Sequence, residues 1–235
     1  MLFEWGCVLN RLLIGNLMPM PKSGARQLRI VSDASVEEPS FLTGRPTLFA
    51  RNQEIFGEGE PSTSIYKIKS GYVRTFKAFN DGRRRIEAFF IPGDIFGLDV
   101  REFHNVSAQA ITRCKIDLIG KKALMTRAIT EIAVVQCLLA LTGLELQRAH
   151  DHNLHLIKSA QERVVGFLLD MNKRQNNNCE IDLPMTRGDI ADYLGLTTET
   201  VSRVLWKLES VSAISIPKRR RVVLQNVPAL RSFGG

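Results

Sequence analysis

Glu199, Ser202, Arg203 and Trp206 stand at i, i+3, i+4 and i+7, so a helix through them would carry all four on one face. Three of them hold the donors and acceptors that base edges answer. The Arg203 guanidinium is a planar fork able to donate two hydrogen bonds to guanine O6 and N7. The Glu199 carboxylate can accept from cytosine N4, and the Ser202 hydroxyl can reach a base or a phosphate. A solvated helix stitched by an i,i+4 Glu–Arg pair is the bland alternative.

The residues around this face weigh against that alternative. Thr186 and Asp189 are spaced as a capping box, with Asp in place of Glu or Gln, and predict a short helix from about Arg187 to Leu194. Gly195 permits the positive φ of a tight turn. Thr197 can cap a second helix running to about Leu208, whose Val201, Val204, Leu205 and Leu208 supply the inward face. A small residue at Ala191, glycine at the turn and a β-branched residue at Val201 fit the offsets of a DNA-binding helix-turn-helix. Ile214-Ser215-Ile216 and Val222-Val223-Leu224 then flank a basic run, which reads as a β-hairpin wing. Lys218, Arg219 and Arg220 at its tip, with Thr186, Thr197 and Thr198 at the helix starts, are expected to meet the DNA backbone, positioning without specifying.

The rest of the 235 residues must carry and orient that motif. Net charge is +8 and uneven: from Arg203 to Gly235 there are seven Lys or Arg and one acid, Glu209. This suits a polyanionic partner, double-stranded DNA being the commonest. Short apolar runs between about Thr47 and Leu118, such as Ile65–Ile68, Tyr72–Phe76 and Ile86–Ile91, are broken by Ser70-Gly71, Asn80-Asp81-Gly82 and Pro92-Gly93-Asp94, predicting antiparallel hairpins in a sandwich or jelly roll. From Lys121 to about Ile157 the period becomes helical. Ile132, Val135, Leu139, Thr142 and Leu146 form a heptad seam, with Val134, Leu138 and Leu141 as a second stripe beside it. One stripe would cover the helix's own β-domain and leave the other for a partner, although a single buried helix would account for both. The expected fold is therefore α+β. A loosely ordered segment over 1–40 precedes a β-barrel over 41–120, a dimerisation helix over 121–157 and a winged helix-turn-helix over 158–235.

Several classes are disfavoured. Cys7, Cys114, Cys137 and Cys179 form no CxxC pair and are too sparse for a secreted disulfide scaffold, which points to a reducing cytoplasm. Glu4 and Arg11 interrupt the apolar N-terminus, so a secretory leader ranks low, and Met18 or Met20 would serve as a start as well as Met1. No run reaches about eighteen apolar residues, so no membrane partner is expected. No nucleophile with a nearby base, phosphate loop or convergent acid pair is legible, and no enzyme is expected. His150, His152 and His155 do not share a helical face, and together with His104 they give no metal-binding set. They read mostly as helix-end polar residues, and neither metal nor cofactor is expected.

With these parts in order, the chain resembles the CRP/FNR superfamily of transcription regulators over roughly Pro46 to Leu224. The residues that carry the resemblance are Ile91-Pro92-Gly93-Asp94-Ile95-Phe96-Gly97 and Asp189-Ile190-Ala191-Asp192-Tyr193-Leu194-Gly195-Leu196, followed by Glu199-Thr200-Val201-Ser202-Arg203. The barrel would then be of the cyclic-nucleotide-binding type. Ser202 between Val201 and Arg203 is similar to the FNR branch and implies a TTGAT-N4-ATCAA palindrome read by a homodimer. Arg85-Ile86-Glu87-Ala88-Phe89-Phe90 resembles the FixK-type activators of low-oxygen respiration and nitrogen fixation, which implies RNA polymerase as a further partner. The nucleotide-binding members carry a glutamate just after Phe-Gly and later an Arg-Ser pair. Here Leu98 follows Gly97 and Val106 precedes Ser107, so an anionic phosphate would lack its guanidinium fork. Cys114 matches the central cysteine of the iron–sulfur members, but Cys7 stands without the clustered companions, and a four-thiolate cluster is not available. The expectation is an effector-independent regulator. A haem- or other ligand-gated regulator is the nearer alternative, and a barrel protein that does not bind DNA the distant one. Cys179, just ahead of the helix-turn-helix, is where oxidation would perturb DNA docking.

Overall fold

The structure, a computed structural model, describes residues 40–176 and 178–233. The expected loose segment, with Cys7, lies outside the described residues except for Ser40. After a short 3-10 turn come eight strands: β1 (Arg45–Phe49), β2 (Glu54–Phe56), β3 (Ser64–Ser70), β4 (Val73–Ala78), β5 (Arg84–Phe90), β6 (Ile95–Phe96), β7 (Ser107–Ala110) and β8 (Cys114–Gly120). They pair antiparallel in two four-stranded sheets, β1-β8-β3-β6 and β2-β7-β4-β5. Inward-facing Phe56, Ile68, Val73, Phe90, Phe96 and Ile116 fill the space between them, as alternation requires of two sheets packed face to face. The β3–β4 turn needs glycine. Gly71 has φ 92°, and a Cβ there would sit 2.4 Å from the Arg113 carbonyl oxygen.

The stretch expected as one helix over 121–157 is two: α1 (Lys121–Thr130) and α2 (Ile132–Leu156). The break falls at Glu131, at φ −114° and ψ 97°. Its N–H still bonds the Arg127 carbonyl, and its carboxylate takes both the Nε (2.8 Å) and Nη2 (2.9 Å) donors of Arg127. The kink lets Leu124 of α1 and Val134 and Cys137 of α2 close over Ile65 and Ile119 of the barrel. Burying those side chains offsets one lost turn of helix bonds. Ile132–Leu154 is long and apolar enough, by length and composition, to cross a membrane, although Gln136, Thr142, Glu145 and Arg148 break its apolar run. One of its faces instead rests on the barrel, and its Arg148 donates to Asp94 at 2.9 Å.

The C-terminal body comprises α3 (Ala160–Arg174), β9 (Glu180–Asp182), α4 (Arg187–Leu194), α5 (Thr198–Ser210), β10 (Ile214–Lys218), β11 (Arg221–Leu224) and α6 (Val227–Phe233). Ser159 and Glu162 form a capping box at the start of α3. The strands order as β10-β11-β9, so the wing is tied to the strand that precedes α4. The core of this body, built on residues such as Leu168, Ile190, Val201 and Leu208, also includes Ile86 and Phe89 of β5. Barrel and C-terminal body therefore share apolar packing.

Candidate nucleic-acid interface

Local sequence fixes the two helices of the motif. Thr186 Oγ1 accepts from the Asp189 N–H at 3.0 Å, and Asp189 Oδ2 accepts from the Thr186 N–H at 2.9 Å, a reciprocal cap on α4. Gly195 ends α4 in the left-handed region, φ 63° and ψ 40°. Thr197 Oγ1 then accepts from the Thr200 N–H at 3.2 Å and starts α5. Ala191 and Val201 are both buried where the helices meet.

The face of α5 away from that contact is exposed at Glu199, Ser202, Arg203 and Trp206, the indole at 69%. The Glu199–Arg203 ion pair of a merely solvated helix is not formed among the described residues. Ser202 donates its hydroxyl to the Thr198 carbonyl at 2.8 Å. Thr186, Thr197 and Thr198 are exposed around the helix starts. In the wing, Lys218, Arg219 and Arg220 are exposed, whereas Arg221 is engaged by Glu180 (3.0 Å) and Asp182 (3.9 Å) of β9. The wing therefore divides its cations: Arg221 is held in the sheet, and the tip faces solvent.

On α2 the two stripes separate. Val134 is buried, and Leu138 and Leu141 pack on the barrel. Ile132, Val135, Leu139, Thr142 and Leu146 are exposed, Leu139 by 74% and Leu146 by 71%. The Thr142 hydroxyl turns back to the Leu138 carbonyl at 2.9 Å.

The inner side of α4 carries a site that the sequence reading missed. Asp189, taken there only as a capping residue, is 1% exposed. Its Oδ1 accepts from Arg74 Nη1 of β4 at 2.7 Å and also from Arg84 Nη2 of β5. Arg74 Nη2 continues to Gln109 Oε1 at 2.6 Å, and Arg84 Nε to Asp192 Oδ2 at 2.8 Å. Burial works against the Asp189 anion, but the Thr186 N–H and the two guanidinia outweigh it and hold the carboxyl below the ordinary aspartate value. A second cluster lies beside it. Asp94 receives Arg174 Nη2 of α3 at 2.7 Å and Arg148 Nη2 of α2 at 2.9 Å. Tyr193 fills the space between, stacked on His152 at 4.3 Å and tilted against Phe89 at 5.2 Å. Burial pushes its phenol up to about 12, with Asp170 adding to the effect. His152, expected as a helix-end polar residue, thus belongs to the contact between barrel and reader.

An open cavity of about 880 Å³ lies between the barrel mouth, α2 and α3, with Leu98, Val106, Glu145, Arg148 and Tyr193 in its wall. Leu98 and Val106, the two positions at which the sequence departs from the nucleotide-binding pattern, place apolar side chains in that wall. Among the described residues, no group of three or more His, Cys, Asp or Glu is placed to hold a metal ion. Cys114 is buried, and burial pushes its thiol up. His104 is buried against Phe56 with its Nδ1 2.8 Å from Asp99 Oδ2. Cys179 is half-buried at φ 58°, its N–H donated to Asn172 Oδ1 at 2.9 Å.

A β-barrel joined through a long helix to a winged helix-turn-helix defines the class of two-domain DNA-binding regulators. Residues 46–130 match the cyclic nucleotide-binding domain and residues 162–233 the Crp-like helix-turn-helix domain. The chain is 42% identical over 223 residues to the nitrogen fixation regulation protein FixK of Azorhizobium caulinodans, covering 91% of this chain and 90% of that protein. It is 38% identical over 199 residues to the protein of the same name from Rhizobium meliloti, covering 83% and 90%. The solved structure of FixK2 from Bradyrhizobium japonicum aligns with a TM-score of 0.79 at 39% identity, covering 83% of this chain and 98% of that one. The chain belongs to the CRP/FNR family of transcription regulators and is of the FixK type.

Proposed function

We propose that this regulator acts in the cytoplasm as a homodimer on a TTGAT-N4-ATCAA palindrome, without a bound effector, as an activator in low-oxygen or nitrogen-fixation control. The observation that carries the reading is the exposed face of α5. Arg203 reads guanine, Glu199 accepts from cytosine, and Ser202 exchanges its bond to Thr198 for one to a base or phosphate. Lys218, Arg219, Arg220 and the threonines at the helix starts grip phosphates. The aliphatic stripe Ile132–Leu146, unused by the barrel, covers itself with the same stripe of a second copy. This would set two α5 helices about one DNA turn, ~34 Å, apart. The relatives named for nitrogen fixation support the regulatory setting, and RNA polymerase is the further partner an activator needs. The apolar Leu98 and Val106 in the cavity wall support independence from a cyclic nucleotide.

A mobility shift with aerobically purified protein tests the reading, using the palindrome, a scrambled duplex and no added ligand. Specific binding by a species that sediments as a dimer is the expected result. Absence of binding, reversed by a ligand, would instead support a gated regulator using the 880 Å³ cavity. An intense Soret band in the spectrum of the purified protein would point to haem as that ligand.

A further inference from the structure

We propose that Arg74 and Arg84 of the barrel are positioning residues for DNA reading, which set the half-site spacing the dimer accepts by gripping Asp189 at the head of α4. This rests on the dimeric DNA-reading function proposed above. The barrel and α2 form one body, because Val134 and Cys137 share a cluster with Ile65 and Ile119. The reader is joined to that body by three residues, Ile157-Lys158-Ser159, outside any helix. A link of that kind fixes distance but not angle. Arg174 on Asp94 and His152 on Tyr193 contribute to the angle, and the rest comes from the contact along β4 and β5.

That contact has two parts of different character. The apolar part, Phe89 against Tyr193 and Phe167, is non-directional and tolerates sliding. The ionic part does not. Asp189 Oδ1 takes both guanidinia while Oδ2 is occupied by the first turn of α4, so the carboxylate cannot swing away without releasing its own helix cap. Arg74 is held from behind by Gln109 of β7, and Arg84 spans two carboxylates of α4, Asp189 and Asp192. Barrel orientation is thereby transmitted to the N-terminus of α4 and, through the tight turn at Gly195, to α5. One added or removed base pair moves a half-site by about 3.4 Å and turns it by about 35°. A reader held at a fixed angle discriminates against such spacers, and a loosened reader does not.

The experiment measures affinity of full-length protein for the palindrome and for duplexes whose spacer is one base pair shorter or longer. The wild type is expected to prefer the native spacer by about tenfold or more, and Arg74→Gln/Arg84→Gln to lose about tenfold on it while its three affinities converge. Arg84→Gln alone is the second variant, because Arg84 is 35% exposed and its loss leaves Arg74 on Asp189. It should move the same way by about threefold, and Arg84→Lys should recover part of the loss. Circular dichroism and sedimentation report folding and dimerisation. If the double variant does not fold, the single variant decides. A folded, dimeric variant whose spacer profile matches the wild type overturns the proposal while leaving the DNA-reading function intact. A wild type indifferent to spacer length overturns it too. A wild type that binds none of the duplexes removes the function on which it rests.

Discussion

The helices α4 and α5 are joined by three residues and belong to one motif, yet their outward chemistry is handled in opposite ways. In α4 the acids turn to the barrel: Asp189 is buried between two of its arginines, and the part-exposed Asp192 meets one of them. In α5 the polar face is left to solvent, with Glu199 and Arg203 unpaired with each other and a large indole uncovered at Trp206. A buried charge is kept only with partners that compensate its desolvation, so α4 can be placed in one way. An exposed polar face has no such requirement within the chain and stays available to another molecule. On the proposed function, one helix anchors and its neighbour reads, and the angle of the reader follows from the chemistry of the anchor.

The largest expected break in that comparison is Asp189→Asn. Removing one partner from a buried charge cluster costs about 3–5 kcal/mol, and Arg74, whose side chain is 11% exposed, would be left without its anion. Urea unfolding should place the variant well below the wild type near neutral pH. The pH dependence gives an independent check. Asp189 is held below its ordinary value in the folded protein, so its contribution is present above the unfolded value of about 3.9. That contribution is lost as pH falls through the lower folded value. The difference between wild type and variant should therefore shrink in acid. A difference that stays constant across that window would mean the Asp189 charge does not carry the anchor.

The next effect falls on the reader. Arg203→Ala should leave stability unchanged, because its side chain is exposed and outside the core. It should cost about 1–3 kcal/mol in affinity and relax the choice of base at the guanine. Binding to duplexes substituted at that position measures both. Unchanged affinity with unchanged base preference would transfer recognition to other residues of the face.

The same contrast explains what could be read in the sequence. The α4 and α5 helices, their turn and the wing were legible because their determinants are local: Thr186 caps three residues away, Gly195 supplies its own φ, and Thr197 repeats the device. The two stripes of α2 were legible because the barrel takes one and leaves the other, as heptad spacing implies. The break at Glu131 was not legible, since nothing in the apolar period interrupts there. The deciding quantity is burial of Leu124 and Val134 on strands far away in the chain. The anchor was least legible of all. Arg74 and Arg84 meet Asp189 across separations of 115 and 105 residues, and an arginine in a strand carries no mark of its partner. Asp94 was visible as part of a motif, but its bonds to Arg148 and Arg174 were not.

The smallest expected effect separates the two helix starts. Thr186 works inside a cap whose carboxylate is also fixed by the barrel. Among the described residues, the Thr197 hydroxyl meets the Thr200 N–H, at 3.2 Å, and the Thr200 hydroxyl beside it. Thr197→Ala should therefore cost about 1 kcal/mol, the ordinary value for an N-cap, with no change in how the reader sits on the barrel. Thermal unfolding measures that cost, and duplex binding measures what the reader loses. If affinity falls by more than the cap accounts for, the Thr197 hydroxyl meets DNA as well as the helix. If affinity is unchanged, Thr197 serves folding alone, and orientation of α5 is inherited from α4.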